Sequence, residues 1–267
     1  MRRIEPLVSV HAALVGLSLI ALGLGRPAPA GETLDAPTAE TAPAGETIAE
    51  PAAAARPGWK RLSDKYDVWV DAQRNAVAVG GEVCLREGQL EMFACLKGTK
   101  EHESVVTLNT RAYVVHAALL AVGAKVGHPV RFDPTYAPAT GTVIDIDVLW
   151  LDDDGKRHQA RAQDWIRYVK TGEPMPYSWV FAGSGFWVDD QTGERQYYAE
   201  GGDVICVSNF TTATLDLPIE SSQENVDLLF EAFTENIPPV GTKIRLILRP
   251  RLAQPDAPAR QPAGGTP

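Results

Sequence analysis

A short stretch of the chain brings a thiol, an imidazole, carboxylates and hydroxyls together. It runs from Cys95 to Ser104 and reads Cys-Leu-Lys-Gly-Thr-Lys-Glu-His-Glu-Ser. Thiolate and imidazole are the ligands that Zn and Cu prefer. If the fold brings two further residues to this stretch, the candidate ligands of a transition metal such as Zn or Cu are Cys95, His102, His116 and Cys206. The alternative is a solvated Lys/Glu loop, with His116 as a hydrogen-bonded core residue.

The chain has three cysteines, Cys84, Cys95 and Cys206. The apolar runs Ala76 to Leu85 and Leu90 to Leu96, on either side of a polar turn, predict a β-hairpin. In that hairpin Cys84 and Cys95 are offset by roughly 13 Å along the strands, whereas a disulfide needs Cα atoms within about 7 Å. The hairpin therefore favours a disulfide between Cys95 and Cys206. Three free buried thiols, or a metal or redox role, stay open as alternatives.

Other sequence motifs of catalytic and cofactor sites are incomplete. Ser184 lies in Gly-Ser-Gly without the outer glycines of a nucleophile elbow, and no base is placed near Ser184 or Ser208. The turn from Asp152 to Gly155 lacks the calcium-loop pattern. Three thiols, none in a Cys-x-x-Cys pair, are too few for an iron–sulfur cluster. We therefore expect a non-enzymatic structural or binding module without a cofactor, and a metal-binding or thiol-redox protein is the alternative.

The start of the chain has the pattern of an export signal. Arg2 and Arg3 precede an apolar run from Leu7 to Gly25, and Ala28-Pro29-Ala30 forms an A-x-A cleavage site. Residues 1–30 are therefore predicted to be a signal peptide. The alternative is an uncleaved membrane anchor, since roughly 18 apolar residues could just span a bilayer. We expect a periplasmic or secreted protein that meets the membrane only during export, or through that anchor.

The remainder divides into one domain between two linkers. Residues 31–57 and 251–267 are rich in Ala and Pro and poor in large apolar residues, which predicts disorder. Residues 58–250 have a suitable length for one domain with a sizeable core. They hold 27 acidic and 19 basic side chains, and so a net charge of −8. This balance argues against nucleic acid as a partner, because nucleic acid requires a basic surface, and the partner stays unidentified.

Alternation of apolar and polar residues predicts a sheet protein. Thr142 to Leu151 places Ile144, Ile146, Val148 and Trp150 on one face and Asp145 and Asp147 on the other. Thr242 to Leu248 is a second alternating strand. If the two strands pair, Lys243, Arg245 and Arg249 come to lie beside the two aspartates. Local turns between the strands indicate antiparallel pairing rather than a doubly wound nucleotide fold.

Two segments are candidates for helices. Thr110 is a predicted N-cap for a helix over about 111–122, which is apolar on almost every side and is therefore expected to be buried. A second short helix is compatible with about 223–233. The predicted fold is α+β or mainly β, with antiparallel, sandwich-like sheets and one buried helix.

Three stretches of sequence resemble the YdjY domain of exported bacterial proteins. They are Leu90 to Val105, His116 to Leu120, and Gly201 to Phe210 with Asp216-Leu217-Pro218, within a match over about residues 75 to 250. The family is uncharacterised, and the ferredoxin-like label sometimes attached to it is at odds with the thiol count.

The resemblance also points to particular residues. Those that fall in family motifs are Cys95, His102, Glu103, His116, Cys206 and Asn209. Cys84 does not, so the resemblance implies that Cys95 and Cys206 are the meaningful pair. It also makes a candidate functional loop of His102, Glu103 and Ser104, together with Asn209.

Overall fold

The structure is a computed structural model that describes residues 58–221 and 229–252. The predicted signal peptide (1–30), the predicted spacer (31–57) and residues 253–267 of the predicted tail lie outside the described residues. So do residues 222–228, which hold most of the predicted second helix.

The described residues form fourteen β-strands and one α-helix. In chain order these are β1 (Lys60–Arg61), β2 (Val68–Asp71), β3 (Ala76–Val83), β4 (Met92–Leu96), β5 (Ser104–Leu108), α1 (Ala112–Ala121), β6 (Val143–Leu151), β7 (Arg157–Arg161), β8 (Ile166–Tyr168), β9 (Trp179–Val180), β10 (Phe186–Val188), β11 (Arg195–Tyr197), β12 (Ile205–Cys206), β13 (Phe230–Ala232) and β14 (Lys243–Pro250).

Ten of the strands form one sheet. Its main path runs β12-β4-β5-β3-β14-β6-β7, with β2 beside β3, β1 beside β2, and β9 beside β6. Two small ribbons, β10-β11 and β8-β13, complete the strand pairing. Every strand pair is antiparallel except β4 with β5, which run parallel. The predicted mainly β fold with antiparallel sheets and one helix is therefore confirmed.

The predicted pairing of the two alternating strands is confirmed in β6 and β14. Arg249 lies opposite Asp145 in the ladder, and it forms an ion pair with Asp147 on the same strand. The other two predicted neighbours were wrong. Arg245 pairs with Asp67, and Lys243 pairs with Glu82. Both acids lie on the β3 side of β14, which the alternation pattern cannot distinguish from the β6 side.

The predicted hairpin of β3 and β4 is wrong, because β5 lies between these two strands. The connection from β3 to β4 is held by a segment much later in the chain. Arg86 donates through its side chain to the carbonyls of Ile237 and Thr234, and the Leu90 N–H donates to Phe230. These long-range hydrogen bonds direct the connection after β3 away from that strand, so β4 does not pair with β3.

The buried helix is confirmed as α1, but its cap differs from the prediction. The N-cap residue is Arg111, without a side-chain capping bond. The buried hydroxyl of Thr110, the predicted cap, has no hydrogen-bond partner within the described chain. The second predicted helix is also wrong where the structure describes it. Phe230–Ala232 is strand β13, paired with β8, and its two apolar residues are buried.

The core lies on one face of the large sheet. It joins inward residues of β3, β5, β6 and β14 to α1 and to the β8-β13 ribbon. Ile244, Leu246 and Leu248 of β14 belong to this core. Because side chains alternate along a strand, Arg245 and Ile247 point to the opposite face. There Ile247 packs in a smaller apolar cluster with Trp69 and Leu149. Within the described residues, no helix is long and apolar enough to cross a membrane.

Candidate functional site

Cys95 is fully buried in β4 and lies opposite Thr107 of the parallel neighbour β5. On the other side of β5, the Cys84 N–H donates to Val105 O at 2.9 Å, and the Cys84 thiol donates to Ser104 O at 3.1 Å. The two cysteines thus flank one strand, two strand spacings or about 10 Å apart at the backbone. The exclusion of a Cys84–Cys95 bridge stays a prediction, and its stated basis, a hairpin of β3 and β4, is wrong.

The thiols of Cys84 and Cys95 interact across β5. A hydrogen bond from the Cys84 thiol is the main cause that lowers the pKa of Cys95, and burial opposes this effect. The same contact, followed by burial, raises the pKa of Cys84. The hydroxyls of Thr99 and Ser104, which also lie near Cys95, donate to the carbonyls of Leu96 and Lys100. The interaction of the two thiols favours the thiolate at Cys95 and the protonated thiol at Cys84.

Cys206 lies next to Cys95 but does not face it. In the β12-β4 ladder Ile205 pairs with Ala94, and Cys206 pairs with Met92 after an irregularity. Cys95 and Cys206 share a small apolar cluster with Met92, and burial raises the pKa of Cys206. All three cysteines are free thiols in the structure. The disulfide between Cys95 and Cys206 stays a prediction.

The two histidines of the predicted metal site lie in different surroundings. His102 is 78% exposed at its side chain, and its Nε2 lies 3.7 Å from Glu103 Oε2. His116, on α1, shares a 2.9 Å hydrogen bond with the Tyr197 hydroxyl and packs its ring against Phe181. Burial lowers the pKa of His116, which favours the neutral ring. Across residues 58–221 and 229–252, no three His, Cys, Asp or Glu side chains are grouped to hold a metal ion.

A lysine occupies the centre of the stretch from Lys97 to Ser104, which we call the motif loop. Lys100 Nζ lies 2.9 Å from Asp203 Oδ1 and 3.8 Å from Glu103 Oε1, and it sits over the Phe210 ring. Burial opposes its charge, but the hydrogen bond and charge of Asp203 outweigh burial and raise the pKa of Lys100. Burial, and then the charge of Glu103, raise the pKa of nearby Glu91. The ammonium thus ties the motif loop to the segment around β12.

Asn209 organises the end of that segment. Its amide donates to Asp216 Oδ1 at 3.3 Å and to Leu217 O at 3.1 Å, and its Oδ1 accepts the Ser221 N–H at 2.8 Å. Asp216 is fully buried, and burial raises its pKa to about 7. Ser104 is equally buried and donates to Lys100 O. Of the predicted loop residues, His102 alone is exposed, whereas Ser104 and Asn209 support local backbone.

A different arrangement lies on the outer face of the large sheet, where β3 changes partner. Residues 76–79 of β3 pair with β2, and residues 81–83 pair with β5 on the same side. Gly80 lies at the junction, opposite Arg245 of β14. The Asp67 side chain covers Gly80 so closely that a Cβ there would lie 1.9 Å from Asp67 Oδ2. Because Gly80 has no side chain, the junction leaves room for the Asp67 carboxylate above the sheet.

Beside this junction is a groove of about 760 Å³. It is lined by Asp67, Gly80 and Gly81, by Trp150 to Asp153, and by Pro238 to Arg245. We call it the Arg245 groove. Arg245 is 1% exposed, and its Nη2 donates to both oxygens of Asp67. Its Nε and Nη1 are buried and have no hydrogen-bond partner among the residues that the structure describes.

The model of the YdjY domain matches residues 68–249, which is more than half of the chain. The chain belongs to the YdjY domain family. The resemblance inferred from the motif stretches is thereby confirmed. Comparisons with curated proteins and with solved structures find no match. The match takes in both the motif loop and most of the groove of this YdjY domain.

Sequence reasoning missed the groove, although two signals pointed to it. Gly80-Gly81 interrupts an apolar strand, as glycines do where another group approaches the backbone closely. Arg245 lies between Ile244 and Leu246, in a strand that is otherwise apolar from 244 to 248. A buried cation in such a strand requires a partner. Its partner, Asp67, is 178 positions away and could not be found from local pattern.

Proposed function

We propose that this YdjY domain is a non-enzymatic binding module of an exported protein, and that its ligand site is the Arg245 groove. The observation that carries the proposal is a buried guanidinium at the wall of this groove, whose Nε and Nη1 have no hydrogen-bond partner among the described residues. Nearly all buried polar groups in proteins are hydrogen-bonded, and the exceptions call for an explanation. A ligand that accepts hydrogen bonds from Arg245 would provide this explanation.

The shape and lining of the groove support this proposal. Its volume of about 760 Å³ falls within the usual range of small-molecule sites. Trp150, Leu151 and the two prolines Pro238 and Pro239 supply apolar surface along its length. Lys243 and Arg245 line one part, and Asp152 and Asp153 line another. Apolar walls with a few convergent polar groups are typical of small-molecule sites.

The proposal of export rests on the sequence. The basic start, the apolar run and the Ala28-Pro29-Ala30 site fit a secretory signal. We propose a periplasmic or secreted location, with membrane contact only during export or through an uncleaved anchor. The negative charge of the domain supports a partner other than nucleic acid. Fractionation of bacteria that produce the chain, with N-terminal sequencing of the product, tests both location and cleavage.

Blocking the groove tests its role as a ligand site. A small-molecule fragment set is screened by ¹H–¹⁵N correlation spectra of the full chain. We expect fragments to shift the amide signals of Gly80, Gly81 and residues 240–245. Val240 is 61% exposed at the rim, so Val240→Trp should fill the mouth and abolish these shifts. Val188 is 58% exposed in the β10-β11 ribbon, and Val188→Trp is the matched control. Fragments that shift only signals elsewhere would refute the proposal.

A second candidate function is thiol chemistry at Cys95. The hydrogen bond from Cys84, which lowers the pKa of Cys95, favours it, because the thiolate is the reactive form. The full burial of Cys95 counts against it. Histidine ligands from His102 and His116 do not join this pair, so the alternative of a metal site has less support than a redox thiol. Alkylation of the native chain, followed by mass spectrometry of its peptides, measures whether Cys95 is reactive.

A further inference from the structure

The Arg245 groove has a polar end that differs from the rest of its lining. A smaller cavity of about 190 Å³ adjoins it, and the two share Asp67, Gly80, Gly81 and Lys243. The smaller cavity adds Lys97, and Glu82 lies between the two lysines, 3.4 Å from Lys97 Nζ. Three cations, Lys97, Lys243 and Arg245, therefore face two carboxylates. This end is locally cationic in a domain of net negative charge.

Arg245 is held there by two of its five N–H donors. A guanidinium offers five N–H donors in a planar fork that matches a carboxylate. Arg245 uses Nη2 on Asp67 Oδ1 at 3.1 Å and on Oδ2 at 2.9 Å. Nε and Nη1 are left without an acceptor in residues 58–221 and 229–252. Buried charged donors without acceptors destabilise a fold, so this site is incomplete with Asp67 alone.

Asp67 is the more exposed half of this pair. Its side chain is 37% exposed, whereas that of Arg245 is 1% exposed. Its backbone is fixed, because the Gly80 N–H donates to Asp67 O at 2.9 Å. Its carboxylate also accepts the Trp69 indole N–H at 2.7 Å. A rotation of this one side chain, which breaks its bonds to Trp69 and Arg245, would uncover the guanidinium to the groove while the backbone stays in place.

We infer that this end of the Arg245 groove binds the carboxylate group of a small organic acid, with Arg245 as its main partner in exchange for Asp67. Lys243 adds a second positive charge, and the apolar part of the acid lies along Leu151 and Pro238. The inference rests on the proposed function for the choice of the groove, and it adds the class of ligand. Charge-assisted, two-point hydrogen bonding explains why arginine is suited to this role.

The test compares an acid with its neutral isostere. Phenylacetate, phenylacetamide and inorganic phosphate are titrated into the ¹⁵N-labelled full chain. We expect phenylacetate to shift Gly80, Gly81 and the Arg245 side-chain Nε signal, with an affinity about tenfold above that of phenylacetamide. Lys243→Met should weaken phenylacetate binding about threefold, as expected when one nearby charge is lost from a partly exposed site.

The decisive variant removes the competing carboxylate. Asp67→Asn keeps the side-chain size at a partly exposed position, and it should tighten phenylacetate binding about tenfold because Arg245 loses its internal anion. Asp145→Asn is the matched control, since Asp145 is also a partly exposed partner of an arginine, Arg251, but does not line the groove. It should leave the affinity unchanged.

Each other result would overturn the inference in an identifiable way. Equal binding of phenylacetate and phenylacetamide in the groove would refute the carboxylate and leave the proposed function intact. Phosphate that binds as tightly as phenylacetate would indicate a site for inorganic anions. No tightening in Asp67→Asn would show that Asp67 and Arg245 are structural only. Groove signals that respond to none of the probes would refute the inference, and an empty fragment screen would then refute the proposed function.

Discussion

Arg245 Nη2 donates hydrogen bonds to both carboxylate oxygens of Asp67, at 3.1 and 2.9 Å. The pair spans β3 at Gly80, where the partner of that strand changes from β2 to β5. A residue with a side chain at this junction would separate the two charges. The glycine, the aspartate and the arginine therefore form one unit, although only Gly80 and Asp67 are near each other in sequence.

Gly80→Ala should disrupt this unit. The new methyl would lie 1.9 Å from Asp67 Oδ2, so the Asp67 side chain must move and Arg245 loses its partner. We expect a loss of about 1–3 kcal/mol in the free energy of unfolding, measured by urea denaturation. Gly201→Ala is the control, because nothing lies within 4 Å of a Cβ there. Equal stability of both variants would show that Asp67 is free to move at no cost.

Lys100→Met should destabilise the motif loop. The substitution keeps most of the length of the side chain but leaves Asp203 and Glu103 without the ammonium that lies between them. Because Lys100 is about three-quarters buried, we expect a loss of about 1–3 kcal/mol in the free energy of unfolding. Lys97→Met removes a more exposed partner of Glu82, and should cost less than about 1 kcal/mol. Similar losses in the two variants would contradict a special role for Lys100.

The stability of the domain should fall as the pH rises from about 4 to about 7, because of Asp216. Burial raises its pKa to about 7, from an ordinary value of 3.8. Below pH 3.8 the carboxyl is neutral in both states, but between the two values only the unfolded chain releases the proton. This contribution favours folding at low pH and is lost as the pH rises through the folded-state pKa.

Asp216→Asn should remove this dependence, since an amide does not titrate and still offers Oδ1 to the Leu217 N–H. At about pH 8 we expect the variant to be more stable than the unmodified chain by about 4 kcal/mol, and at about pH 4 to be no more stable. Urea denaturation at both pH values measures the difference. If the variant differs in stability from the unmodified chain by the same amount at both pH values, Asp216 is not the cause of the pH dependence.

Cys84→Ala should make Cys95 a weaker acid. The variant removes the thiol whose hydrogen bond is the main cause that lowers the pKa of Cys95. We expect the midpoint of the ultraviolet thiolate absorbance of the folded chain to rise by about one unit or more. Cys206→Ala is the control, because burial raises the pKa of Cys206 and its thiol stays protonated in this range. A midpoint that moves only in Cys206→Ala would mean that the reactive thiol has been misassigned.

The sequence by itself predicted which residues are buried. Alternation in β6 placed Ile144, Ile146 and Val148 inward, and the structure agrees. The apolar segment of α1 was predicted to be a buried helix and is one. The motifs of the YdjY domain were recognisable without coordinates. These features are readable because burial and family motifs leave a local pattern in the sequence.

Only the tertiary structure decided which strands are neighbours and which charges meet. The insertion of β5 between β3 and β4 depends on bonds from Arg86 to residues 234 and 237, far along the chain. The same applies to Asp67 and Arg245, which were not predicted to pair. Alternation fixes the face of a side chain, but not the strand beside it, since ladder partners are chosen by long-range packing. For that reason the sequence identified the motif loop, whereas the Arg245 groove became visible only in the folded chain.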